Sequence, residues 1–172
     1  MSIQFISVTS SEDIKALAEM AHEIWHEYWP CLLSVEQIDY MVEQFQTASA
    51  ITTDIENNAY EYWFLEEDGR IVGYTGGRVE GETNRFFISK IYLYDTERGK
   101  GYASQVIAFY EALCKDRNLC AMYLTVNKEN DLGIRAYRAK GFKTIEAKVT
   151  DIGQGFVMDD FIMEKPIANM PR

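Results

Sequence analysis

The chain has 172 residues, 47% of them hydrophobic and 26% charged, the mixture of a single globular domain with one core. Its formal charge of −10 argues against nucleic-acid binding, which needs clustered cations against phosphates, and tilts instead towards a small cationic partner. Apolar runs are short and no basic segment leads into an apolar stretch at the start, so no membrane partner is expected and the expected location is cytoplasmic. Cys31, Cys114 and Cys120 are odd in number and lack Cys-x-x-Cys spacing, which suggests neither a disulfide framework nor a metal site and leaves packing as their default role.

Ile3–Val8 alternates enough for a first strand, and Thr9-Ser10-Ser11 before Glu12 and Asp13 has the form of a capped helix start. Ile14, Leu17, Ala18, Ala21, Ile24 and Trp25 keep helical spacing to about Tyr28, before Pro30 ends the helix. Ser34 caps a second helix carrying Val35, Ile38, Met41, Val42 and Phe45 on one side, and the polar run Thr52–Asn58 is expected to close the helical portion. Two helices thus precede the main sheet. Tyr60–Leu65, Arg70–Val79 and Phe86–Tyr94 read as an antiparallel meander with a hairpin at Asp68-Gly69, and Gly73, Gly76 and Gly77 predict a bulge or close packing on its middle strand.

After Asp95-Thr96-Glu97 the chain turns through Arg98-Gly99-Lys100-Gly101, and from Ala103 the residues Val106, Ile107, Tyr110, Leu113 and Cys114 mark one face of a helix. Ala121–Val126 is again strand-like, so the stretch is a parallel crossover unit, whose ligands usually lie at the strands' carboxyl ends. The first helical amides have no partners within the helix, and two glycines let an anion come close to the backbone. With Arg98 as a fork and Lys100 as a mobile charge, the turn reads as a cradle for a diphosphate, although a bare Gly-x-Gly turn also serves merely to reverse the chain. It has neither the Gly-Lys-Ser/Thr ending of a Walker loop nor the third glycine of a dinucleotide fingerprint, which points away from ATP and NAD. Asp131–Lys140 reads as a short helix, and Phe142–Val149 and Phe156–Glu164 as the last strands. The expected fold is a single α+β domain over residues 1–172, a mixed, mostly antiparallel six- to seven-stranded sheet flanked by helices on both faces.

Arg98-Gly-Lys-Gly-Tyr-Ala103 resembles the Arg/Gln-x-x-Gly-x-Gly/Ala signature of the GNAT superfamily of N-acetyltransferases, in the strand-to-helix position where that family carries it. A second stretch, Asn130 to Phe142, is similar to the family's Asn-x-x-Ala-x-x-x-Tyr-x-x-x-Gly-Phe segment, with Gly133 in place of the alanine. Element order and Met163-Glu-Lys165 extend the likeness over nearly the whole chain. The resemblance implies the GNAT fold with acetyl-CoA as cosubstrate and no metal. Amides from Gly99 through Lys100, Gly101, Tyr102 and Ala103 to Ser104 would hold its pyrophosphate, with Arg98 towards the same group. Backbone groups of Ile91, Tyr92 and Leu93 would pair with the pantetheine arm as with an added strand. Asn130 would hydrogen-bond the cofactor.

Tyr137 is the residue that the resemblance implies would return a proton to the departing thiolate, and standing alone it would read as core packing. A phenol of reference pKa about 10 against a thiol of about 8.5 makes that transfer only mildly uphill. A backbone amide near Leu93 would serve the oxyanion. Many relatives place a glutamate base on the strand before the glycine turn, whereas this chain has Ser89 and Lys90 there. Deprotonation through ordered water to Glu23, Glu27, His26, Tyr94 or another residue, or an amine arriving neutral, all stay open. His22 and His26, one helical turn apart, with Trp25 and Trp29 nearby, form either one wall of an amine pocket or, for the tryptophans, part of the core with the histidines solvated. The resulting expectation is direct acetyl transfer to a small-molecule primary amine in a ternary complex. Transfer to a protein or peptide, and a non-catalytic acyl-CoA-binding domain, are the alternatives. Helix packing or strand exchange would allow a homodimer.

Overall fold

The computed structural model describes residues 2–168. In chain order its elements are β1 (Gln4–Ser7), α1 (Ser11–Tyr28), α2 (Val35–Phe45), α3 (Ala48–Asn57), β2 (Tyr60–Glu67), β3 (Arg70–Glu80), β4 (Arg85–Leu93), α4 (Tyr102–Asp116), β5 (Ala121–Asn127), α5 (Asp131–Ala139), β6 (Lys143–Gly153) and β7 (Phe156–Pro166). The strands form one seven-stranded sheet in the order β1-β2-β3-β4-β5-β7-β6. β4 and β5 run parallel, while β1/β2, β2/β3, β5/β7 and β6/β7 are antiparallel, so the sheet is mixed as expected. Two compact units divide the chain: one takes the residues up to Arg78 with Lys90–Gln105, the other Val79–Ser89 with the chain from Val106 onward.

In the first unit, helix starts follow the polar residues that satisfy orphan amides. The Ser10 side chain accepts from Asp13 N while Asp13 accepts from Ser10 N, a reciprocal cap, and Ser34 accepts from Gln37 N. A third helix departs from the expectation of two. Thr47 caps it by accepting from Ala50 N, and Thr52–Asn57, expected to be a polar close to the helical portion, lie within it. Ile51 is its one fully covered residue, so its apolar face is too narrow to show as a periodic pattern. Leu17, Ile24, Ile38, Ile51 and Leu65 make the aliphatic core of this unit, each stabilising by about 2 kcal/mol on burial.

On β3 the glycines mark close approach and a bulge together. The ladder to β2 skips Val72, and a Cβ on Gly73 would lie 2.2 Å from the Tyr92 carbonyl oxygen. One on Gly76 would meet the Tyr62 ring at 2.7 Å. In the second unit Phe86 packs on Tyr110 of α4 with ring centroids 5.0 Å apart, and Met122, Leu124, Phe142 and Met163 complete that core. Of the cysteines only Cys114 packs as expected. Cys31 and Cys120 are exposed, Cys120 with its Sγ 3.6 Å from the Thr83 carbonyl.

Candidate active site

The glycine turn starts α4 from the end of β4. Gly99 and Gly101 take φ of +78° and +83°, a left-handed geometry that side chains resist, and nothing lies within 4 Å of where a Cβ would project from either. The turn therefore presents open backbone at a helix start, where amides lack helical partners. Behind it, buried acids hold it in place. Tyr102, the first residue of α4, is 1% exposed and donates its hydroxyl to the buried Glu67 at the end of β2. Glu97, also buried, takes the Arg70 guanidinium and, at 3.0 Å, the Lys100 ammonium, and these two bonds hold its carboxyl below the usual range. Arg98 donates to Asp95 at 2.9 Å and lies 5.1 Å above the Tyr28 ring. Each cation of the turn is thus matched by the acid three residues before it.

The carboxyl half of β4 passes through an aromatic cluster. The Tyr92 ring lies 5.2 Å from Trp25, 5.4 Å from Tyr28, 6.4 Å from Trp29 and 5.7 Å from Tyr74. Trp25 donates its indole N–H to the Tyr74 hydroxyl at 2.7 Å, which donates on to Gln46 at 3.1 Å. Trp25 and Trp29 are core residues at 4% and 6% exposure, and the Trp29 Nε1 has no hydrogen-bond partner among the described residues. His26 turns elsewhere. Its ring nitrogens lie 2.6 Å from Asp39 of α2 and 2.7 Å from the His22 carbonyl, and the bond to Asp39 first raises its pKa above the usual value. The structure therefore brings Trp25 and Trp29 together and directs His26 to a different neighbour.

Three of the residues considered for deprotonation meet at the end of β4. Tyr94 donates to Glu23 at 3.2 Å, and the Asp95 amide donates to Glu27 at 3.1 Å. Burial first, then the Glu23 charge, pushes the Tyr94 phenol up to about 12, which makes it a donor rather than a base. Lys90 is a feature that the sequence did not signal beyond its identity. Its ammonium lies 5.1 Å and 5.3 Å from the Tyr60 and Tyr62 ring centroids, and burial pushes it down to about 8. Glu67 and Glu97 were missed as well: in sequence Glu67 is indistinguishable from its neighbour Glu66, whereas the acid spacing before Arg98 and Lys100 was available as a signal for Glu97.

In the second unit Asn130 caps α5, its Oδ1 accepting from Gly133 N at 3.0 Å. An alanine Cβ at 133 would come within 2.6 Å of the Asn130 amide nitrogen, so glycine there makes room for the cap. Tyr137, half-buried, sets its ring edge-on to Phe142 at 5.8 Å, and its carbonyl accepts from Lys140 and Phe142 amides, which closes the helix onto Gly141 with φ +99°. The parallel ladder pairs Arg85–Ile88 with Ala121–Leu124, and β4 runs on to Leu93. Asp160 of β7, opposite Asn127 in the ladder, has its carboxyl pushed up to about 6 by burial.

Residues 21–142 match the Acetyltransferase (GNAT) family. A spermidine N(1)-acetyltransferase of Thermoplasma acidophilum is 24% identical over 169 residues, covering 96% of this chain and 98% of that one. Among solved structures, the PaiA N-acetyltransferase of the same organism in complex with coenzyme A superposes with a TM-score of 0.76 at 22% identity, over 96% of this chain and 99% of that one. The ribosomal-protein-S18-alanine N-acetyltransferase of Escherichia coli does so with a TM-score of 0.70 at 13% identity, over 99% and 97%. With both sequence motifs lying in the matched stretch and the mixed sheet in place, the chain belongs to the GNAT family and is an N-acetyltransferase.

Proposed function

We propose that the chain moves the acetyl group of acetyl-CoA directly onto a primary amine of a small molecule, both substrates being bound together. The observation that carries this reading is the open, left-handed Gly99–Gly101 turn at the start of α4. Such a turn fits a diphosphate, whose oxygens would take the amides from Gly99 to Ser104 while Arg98 and Lys100 exchange Asp95 and Glu97 for phosphate. Ile91, Tyr92 and Leu93 continue β4 beyond its parallel ladder and offer backbone to the pantetheine arm.

The acceptor's nitrogen attacks the thioester carbonyl and gives up its proton to water, the C–S bond breaks, and Tyr137 gives the departing thiolate a proton and is reprotonated from solvent. Asn130 supports the cofactor from the start of α5. Two features favour a small cationic amine: the charge of −10, and Glu23 and Glu27 set against the end of β4. The name of the T. acidophilum relative points the same way. Thiol release from acetyl-CoA, measured across polyamines, amino acids, aminoglycosides and short peptides, tests the acceptor. Highest kcat/KM on a polyamine or another small amine supports the reading, and a peptide amino terminus turned over faster than every small amine overturns it.

A further inference from the structure

β6 is the last strand of the sheet, next to β7 alone. Nine consecutive residues, Lys143–Asp151, are exposed, including Ile145 at 51% and Val149 at 62%. An outer strand offers its outward N–H and C=O groups to another strand, and native edges are normally blunted by charges or bulges. The charges here select an occupant. Two copies of one strand meeting about a two-fold axis pair antiparallel, residue i against residue j with i + j constant. Because backbone groups alternate inward and outward, only even sums set outward residues against each other.

Of the even sums near the strand's middle, one is attractive at both charged positions. With the axis at Ala147, Glu146 faces the partner's Lys148 and Lys148 faces the partner's Glu146. Moving the axis one residue either way sets Glu146 or Lys148 against its own copy. The β6 ladder to β7 shifts at Ile145 and is regular from Glu146 to Asp151, which limits regular pairing about the axis to a short stretch and leaves side chains to set the register. A two-fold pairing of β6 with its own copy also closes on itself, so it yields a dimer and not a fibre.

We propose that the chain forms a homodimer by antiparallel self-pairing of β6 about Ala147, with the two Glu146–Lys148 cross-pairs fixing the register. The inference does not depend on the acetyl transfer. Sedimentation of the full chain tests it, using Glu146→Lys, Lys148→Glu, the double exchange, and an equimolar mixture of the two single variants. The native chain is expected to be a dimer, and each single variant, with like charges opposed twice, to weaken it by about tenfold or more. The double exchange restores the pairs in reverse order. The mixture restores them between unlike chains, which also shows that neither single variant has merely misfolded. A monomeric native chain, a dimer indifferent to both single reversals, or no recovery in the double exchange and the mixture would each overturn the proposal.

Discussion

Two residue pairs carry predictions that follow from hydrogen-bond accounting. Glu67 is a 4% exposed carboxylate whose Oε2 takes the Tyr102 hydroxyl, with the Arg70 guanidinium at 3.7 Å. Tyr102→Phe removes the donor and leaves the acid buried, at a cost of about 2 kcal/mol, read as a lower urea midpoint. Since Tyr102 opens α4, the KM for acetyl-CoA is expected to rise while kcat changes little. His26 is governed by charge: both ring nitrogens face acceptors, Asp39 and the His22 carbonyl, which only the imidazolium satisfies at once. Its folded pKa is raised, so the added stability is full below the unfolded value of about 6.5 and disappears as pH rises through the folded pKa. Asp39→Asn should therefore lower the melting temperature at pH 6 and by progressively less in alkaline buffer, the effect staying under about 1 kcal/mol because the pair is largely exposed.

Among the elements, β3 and β4 come into close approach at Gly73. A methyl at position 73 would overlap the Tyr92 carbonyl, a backbone atom that moves only if β4 moves. Gly73→Ala is expected to destabilise by about 3 kcal/mol and to raise the acetyl-CoA KM, because it displaces the strand proposed to bind pantetheine. Calorimetry and initial rates check the two parts. Gly73 was legible as a bulge or close approach because glycine in a strand-like run has few other uses. Helix α3 was not legible, since Thr52, Thr53, Asp54, Glu56 and Asn57 hide its single covered position, Ile51. The glycine turn stood out through local spacing, which a sequence displays, and Asn130 through the resemblance of its segment to the family's. The bracing of the turn did not, because Arg70 reaches Glu97 across 27 positions and Glu67 reaches Tyr102 across 35.

At the scale of the molecule, acidic charge and family membership meet. A chain of charge −10 collects cations, and a proposed acceptor site near Glu23 and Glu27 would gain from that field. Among the described residues no helix is long and apolar enough to cross a membrane, and no group of three or more metal-ligating side chains is found. What the chain does offer is an open glycine turn in one unit and, in the other, the Asn130-to-Phe142 segment with Tyr137. The account stands on Tyr137 acting in the chemical step, since its packing on Phe142 would alone justify an aromatic there. Turnover of native protein and Tyr137→Phe on the best amine, with acetyl-CoA affinity measured by calorimetry on both, tests it most directly. The prediction is a kcat reduced by about a hundredfold or more with acetyl-CoA affinity unchanged. An unchanged kcat in the variant would contradict it and return Tyr137 to the core.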